Sequence, residues 1–202
     1  MIVELYGLPA SGKSTFARSL AARGATRIRV RSRAALLWYN LRFFFRSPLR
    51  FLRALWWALA SGGSPALRYY KLMNLLQYNA RWEKARGVDG VAVLDQGHRQ
   101  NVVTFFDEPL SEARMRRFVA LFPQVDRLLV FDPPRSEREG RLAGRGYVGI
   151  REALPETVRQ RWIAAYEENH RRFLSLPESG SYTAIESRED GEQFIRTLDG
   201  LF

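Results

Sequence analysis

Residues 2–15 read Ile2-Val3-Glu4-Leu5-Tyr6-Gly7-Leu8-Pro9-Ala10-Ser11-Gly12-Lys13-Ser14-Thr15. A strand-like run passes straight into a turn-rich loop, and the residues that follow have the spacing of an amphipathic helix. The loop fits G-x-x-x-x-G-K-[ST] at every fixed position, in the strand–loop–helix context that gives the pattern its meaning. Successive backbone N–H groups of such a loop turn inward and form a concave anion site. The helix behind it adds unpaired N–H groups and the positive end of its dipole. Gly7 and Gly12 supply backbone angles and close approach that a side chain would block. Lys13 is expected to reach the β- and γ-phosphates of a nucleoside triphosphate, and Ser14 to place its hydroxyl on Mg²⁺. Pro9, Ala10 and Ser11 complete the cradle, and Thr15 lies in the first turn behind it. ATP and Mg²⁺ are therefore the expected cofactors.

Working outward, strand candidates stand at Ile2–Tyr6, Thr26–Val30, Val91–Asp95, Arg127–Asp132 and Tyr182–Glu186. Helical stretches separate them, near 13–23, 34–86 in pieces, 111–121, 137–143, 155–175 and 190–199. Short apolar runs alternating with helices predict parallel crossovers and an α/β sheet covered on both faces. At 202 residues the chain suits one domain. The segment between the second and third strands breaks into three predicted helices, about 34–46, 48–60 and 65–86. Ser47-Pro48 and Ser64-Pro65 read as N-cap serine and first-turn proline. Gly62-Gly63 and Gly87 read as helix ends.

Charge is distributed unevenly. The net charge is +11, yet residues 83–202 carry 18 basic and 20 acidic side chains. The excess lies in residues 5–82, which hold 14 Lys or Arg and no acid at all. A one-signed region attracts phosphates, nucleic acid or an anionic membrane. No nucleic-acid motif is present, so no specific nucleic acid is expected. The same segment is rich in aromatics, Phe43, Phe44, Phe45, Trp56, Trp57 and Trp82 among them. Arginines interrupt it too often for a transmembrane span. It is expected either to pack as a helical subdomain with an acceptor pocket or to rest on an anionic bilayer. The absence of cysteine excludes disulfides and thiolate metal sites. With no signal peptide visible, a cytoplasmic location is expected, either free or peripheral at the inner face of the membrane.

Over nearly its whole length, and most strongly on the phosphate loop and residues 127–147, the chain resembles P-loop kinases of the nucleoside-monophosphate and thymidylate kinase type. The resemblance implies a three-layer fold whose five-stranded parallel sheet has the order 2-3-1-4-5. It also implies an acceptor-binding helical insert, here 31–86, and a lid after the fourth strand, here 133–156. Ala10 departs from the glycine common at its position, which is expected to be tolerant.

Asp95 ends the third predicted strand, which in such a sheet lies beside the first, with its end facing the phosphate loop. A carboxylate there either binds Mg²⁺ or takes the proton from an attacking hydroxyl. Arg99 and Gln100 follow within one turn and are expected to face the acceptor, with His98 a neighbour and no catalyst. Beyond the fourth strand, Ser136 and Glu139 form a capping-box pattern for a helix from Glu137. Arg138, Arg141 and Arg145 recur on one face of it. The resemblance gives Arg141 and Arg145 the part of lid arginines closing over the transferring phosphoryl group, and it places Ser187 near the adenine. Many relatives carry an acid for the acceptor at the end of the second strand. Here Arg31 and Arg33 stand instead, which favours an acceptor that already bears negative charge. The expected activity is ATP-dependent phosphoryl transfer to a hydroxyl or phosphate of a small molecule, a sugar or a lipid-linked glycan. A nucleoside-monophosphate kinase, or a non-enzymatic nucleotide- or nucleic-acid-binding module, is the alternative.

Overall fold

The computed structural model describes residues 1–61, 65–143, 156–176 and 182–197. A five-stranded parallel sheet, ordered β2-β3-β1-β4-β5, runs through the middle. Its strands are β1 (Ile2–Gly7), β2 (Thr26–Arg27), β3 (Ala92–Leu94), β4 (Arg127–Phe131) and β5 (Tyr182–Ile185). The order is the expected one. In register, β1 pairs Glu4 with Leu94 of β3 and Gly7 with Phe131 of β4.

The helices are α1 (Lys13–Ala22), α2 (Arg33–Arg46), α3 (Pro48–Ala60), α4 (Pro65–Ala85), α5 (Asn101–Thr104), α6 (Glu112–Val119), α7 (Arg135–Ala143), α8 (Glu156–Ser175) and α9 (Arg188–Thr197). They lie on both sides of the sheet because successive strand residues point to opposite faces. Val3, Leu5, Val93, Leu129 and Phe131 face one side and pack with Phe16 and Leu20 of α1 and Phe194 and Ile195 of α9. Tyr6, Leu128 and Val130 face the other, against α5, α6 and α8, with Phe118 and Phe173 fully buried there. Ala54 and Ala58 of α3 and Leu75 of α4 join the second cluster. Phe43 and Trp82 pack with Ile28, Ala92 and Leu94 at the β2–β3 edge. The insert is thus part of the molecule's core on its inner side.

Several expectations need correction. The second strand stops at Arg27 instead of Val30. It is an edge strand, and after Ile28 N donates to Val93 O the chain leaves the ladder, with Lys84 Nζ donating to Arg29 O. The lid helix begins at Arg135, two residues before Glu137, so Ser136 lies inside it and no capping box forms. Pro48 takes the first helical position of α3, but the Ser47 side chain makes no cap bond. Ser32 caps α2 instead, accepting from Ala35 N at 3.1 Å. A buried 3₁₀ turn at His98–Gln100 and the short helix α5 after it were not expected. The residues Gly62, Gly63 and Ser64 lie outside the described ones.

Candidate active site

The loop is built where β1 runs into α1. Gly7 has φ +147° and Gly12 φ +99°, conformations that L side chains rarely adopt. At Gly7 a Cβ would also collide with the backbone oxygen of Phe131 on β4, so the residue is fixed by close strand approach as well as by its angle. Ala10 has φ +62°. The position is therefore less tolerant than expected, since alanine holds a left-handed conformation that glycine would adopt without strain. Lys13 folds back over the loop, its ammonium donating to Gly7 O and Leu8 O at 2.7 Å and to Ser11 Oγ at 3.0 Å. Ser14 and Thr15 are exposed in the first turn of α1. Pro9 is exposed at the tip of the loop.

The arginine of the flap reaches this loop. Arg141 of α7 donates from Nη1 to Ala10 O at 3.3 Å, and it pairs with Glu137 one turn earlier. The same Nη1 lies 3.7 Å from where a Cβ on Gly12 would stand. Arg138 is buried and pairs with Glu167 of α8 at 3.1 Å, so it anchors the flap helix instead of facing the loop. Arg145 lies outside the described residues.

Asp95 stands one residue past β3, the strand that pairs with β1 and whose Leu94 is in register with Glu4. Alternation along β3 puts it on the α1 side with Val93. Its carboxylate is held by Arg27 of β2, whose Nε donates at 3.2 Å, and Arg81 of α4 lies 3.8 Å away. Arg31 and Arg33 are both exposed just beyond the end of β2. Arg99 and Gln100 are buried, each only 4% exposed. The 3₁₀ turn carries them inward, and Arg99 Nη1 donates to Pro123 O at 3.3 Å. Ser187 is occupied by a helix cap: its Oγ accepts from Asp190 N at 3.2 Å, and Asp190 Oδ2 accepts from Ser187 N at 2.8 Å. That reciprocal pair explains Ser187 as the start of α9. His98 is buried, stacks on Phe122 and bonds Asn79 Oδ1 at 2.8 Å. Burial pushes it down to about 3, so it stays neutral and is no acid–base group near neutrality.

Two polar groups behind the loop were missed by sequence reasoning. The first is Tyr6–His170–Asp132. His170 of α8 lies 3.0 Å by Nδ1 from Tyr6 Oη and 3.3 Å by Nε2 from Asp132 Oδ1. Its hydrogen bond holds the Asp132 carboxyl below its ordinary range. The contacts join α8 to the ends of β1 and β4, on either side of the place where the loop starts. No local pattern reveals a trio 164 residues apart along the chain.

The second is Glu4, the one acid inside the opening strand and fully buried. Its Oε1 accepts from Arg99 N at 2.6 Å. Gly97 passes so close that a Cβ there would lie 2.5 Å from the Glu4 carboxyl carbon. Burial pushes Glu4 up to about 7, opposed by the charge and the backbone N–H of Arg99. The folded protein therefore binds a proton that the unfolded chain releases near the ordinary 4.5. Stability from this group is full below 4.5 and falls as pH rises through about 7. The total change is on the order of 3 kcal/mol. Glu4→Gln is expected to flatten this slope, read as urea midpoints across that pH window. A slope as steep as that of the wild type would show that Glu4 does not carry it.

For a triphosphate, the residues present fit. The loop offers a cradle of backbone amides, a lysine ammonium already spanning its mouth, and a guanidinium above it. For Mg²⁺, Ser14 would offer a hydroxyl and Asp95 a carboxylate, with phosphate oxygens and water supplying the rest. Among the described residues no cluster of three His, Asp or Glu could hold a metal without the nucleotide.

A parallel sheet in the order 2-3-1-4-5, a phosphate loop after its central strand and an arginine brought over that loop from the segment after β4 define a P-loop protein of the kinase type. The AAA domain family, AAA_33, matches residues 2–169, and the chain belongs to that family. A search of curated proteins finds no match. Among solved structures, the chain is similar to deoxyadenosine kinase from M. mycoides with dCMP and dCDP bound, at 10% identity and TM-score 0.56, covering 99% of this chain and 100% of that one. The same enzyme with dATP bound is similar at 9% identity and TM-score 0.54, covering 98% and 100%. At such identities the likeness is one of fold.

Proposed function

We propose that this chain is an ATP-dependent phosphotransferase that moves the γ-phosphoryl group to a hydroxyl or phosphate of a small-molecule, sugar or lipid-linked glycan acceptor. The observation that supports it best is Arg141 of the flap helix bonded to Ala10 of the phosphate loop. An arginine brought onto a phosphate cradle has a purpose in transfer, where charge accumulates on the moving group. In this reading Lys13 leaves its loop carbonyls for the β- and γ-phosphates. Ser14 and Asp95 would hold Mg²⁺, which would neutralise phosphate charge. Arg141 and Arg145 cover the transferring group and exclude water. The acceptor oxygen bonds to the γ-phosphorus, the bond to the β-phosphate oxygen breaks, and ADP departs. The acceptor's proton, where it has one, passes to Asp95 or to water. Arg31 and Arg33, exposed beyond β2 with no acid beside them in sequence, suit an anionic acceptor. A lipid-linked acceptor would bring the enzyme to a membrane surface.

The test is a transfer screen with γ-labelled ATP and Mg²⁺ against fractionated metabolite and lipid extracts. Label is expected in one acceptor fraction. If purified protein binds no nucleotide in the presence of Mg²⁺, the reading fails. A nucleoside-monophosphate kinase is the second reading, favoured by the fold shared with a deoxyadenosine kinase. It requires ADP to form with a member of a monophosphate panel.

A further inference from the structure

The outer side of the insert has the opposite polarity to that of an ordinary surface helix. Leu37, Trp38, Leu41 and Phe45 share one face of α2, and all four are exposed, Phe45 by 76%. On α3 the exposed face is Leu49, Leu52, Trp56 and Leu59, with Trp56 70% exposed. The buried residues lie opposite. Asn40 bonds Leu76 O of α4 at 2.9 Å, Phe43 packs with Trp82, and Ala54 and Ala58 pack into the core. Both helices therefore hold to α4 by one side and turn an apolar stripe away from it. Trp38, Leu41 and Phe45 lie together on the open face of α2 with Arg42 and Arg46 beside them. Large apolar side chains exposed in such rows mark interaction sites more often than ordinary surface.

Charge identifies the partner. Exposed arginines flank both stripes, Arg33 and Arg42 on α2 and Arg50 and Arg53 on α3. Residues 5–82 contain no carboxylate to neutralise them. A second copy of the chain would press arginine against arginine, which disfavours self-association through this face. An anionic bilayer supplies both complements: acyl chains and the headgroup boundary for Leu, Phe and Trp, and phosphate for Arg. Among the described residues no helix is long and apolar enough to cross a membrane.

We propose that the outward faces of α2 and α3 form a peripheral docking surface for an anionic lipid bilayer, with Trp38, Phe45 and Trp56 entering the interface and the flanking arginines contacting lipid phosphates. The surface stands on exposure and charge, so it does not depend on phosphoryl transfer. The test is flotation of the full chain, without nucleotide, on vesicles of mixed phosphatidylglycerol and phosphatidylcholine and on pure phosphatidylcholine. Binding is expected to the mixed vesicles, with steep loss as salt rises. Arg42→Gln and Arg53→Gln should each weaken it about fivefold. The Trp38→Ser, Trp56→Ser double variant should weaken it at least about tenfold. All four side chains are exposed, so folding should survive, as far-UV circular dichroism would check. Lys13→Ala protein should float like the wild type, which separates docking from the kinase reading. Three results would overturn the proposal: no flotation of wild-type protein at low salt, equal binding by the tryptophan double variant, or a concentration-dependent dimer or capture by polyglutamate in place of vesicle binding.

Discussion

Replacing Lys13 with alanine is expected to lower phosphoryl transfer by at least about a hundredfold, the lower end of what is lost when one preorganised charge stabiliser is removed. The ammonium now donates to Gly7 O, Leu8 O and Ser11 Oγ, all within the loop. It thus lies against the loop that would cradle the phosphates. Alanine leaves the amides in place, so some nucleotide affinity should persist while the chemical step fails. The separation is measurable. Calorimetry gives the nucleotide affinity, and single-turnover transfer gives the chemical rate. Loss of both, together with a large fall in melting temperature, would mean that Lys13 mainly holds the loop's shape. Full transfer by Lys13→Ala would remove the loop from the mechanism altogether.

The elements that were legible in the sequence were those governed by local rules. The phosphate loop needs glycine at two positions and lysine at one, and all three are read from a run of eight residues. The sheet order followed from resemblance and was met in full. What the sequence hid was set by distant contacts. Arg99 looked available because it follows Asp95, yet the chain turns at Gly97 against Glu4 and takes the guanidinium inward. Ser187 looked like a ligand contact, but its hydroxyl and its own N–H are used in the cap with Asp190. Arg138 shares a helical face with Arg141, and only the position of Glu167 on α8 shows that it serves as an anchor. The aromatic insert is two-sided, which no local pattern shows. Phe43, Tyr78 and Trp82 pack inward, while Phe45 and Trp56 stay outside. The Ser47–Pro48 break sets the phase of α3 relative to α2, and it is tertiary packing on α4 that decides which stripe is buried.

Asp95→Asn is the other substitution with a large expected effect, about a hundredfold to a thousandfold on the rate of transfer. Its carboxylate is at the correct edge of the sheet but is engaged by Arg27, with Arg81 near. The observed contact is structural and the proposed role is chemical, and both fall on one side chain. As an anchor it fastens the short edge strand β2, and losing a hydrogen bond to a charged partner costs about 2 kcal/mol. As the proposed site residue it would hold Mg²⁺ or take the acceptor's proton. Arg27→Met separates them. If anchoring were the whole role, Asp95→Asn and Arg27→Met would lose stability and activity together and to similar extents. If Asp95 serves the reaction, Asp95→Asn loses far more activity than Arg27→Met at comparable stability. The Mg²⁺ titration then tells the two chemical roles apart. A metal ligand replaced by an amide shifts the Mg²⁺ requirement upward, because asparagine offers no negative charge to the ion. A lost base leaves the Mg²⁺ requirement in place and removes the acidic limb of the pH–rate profile. Equal activity of Asp95→Asn and wild type would place the reaction elsewhere on the sheet edge, with Asp132, which ends β4 on the other side of the loop, the next carboxylate to replace.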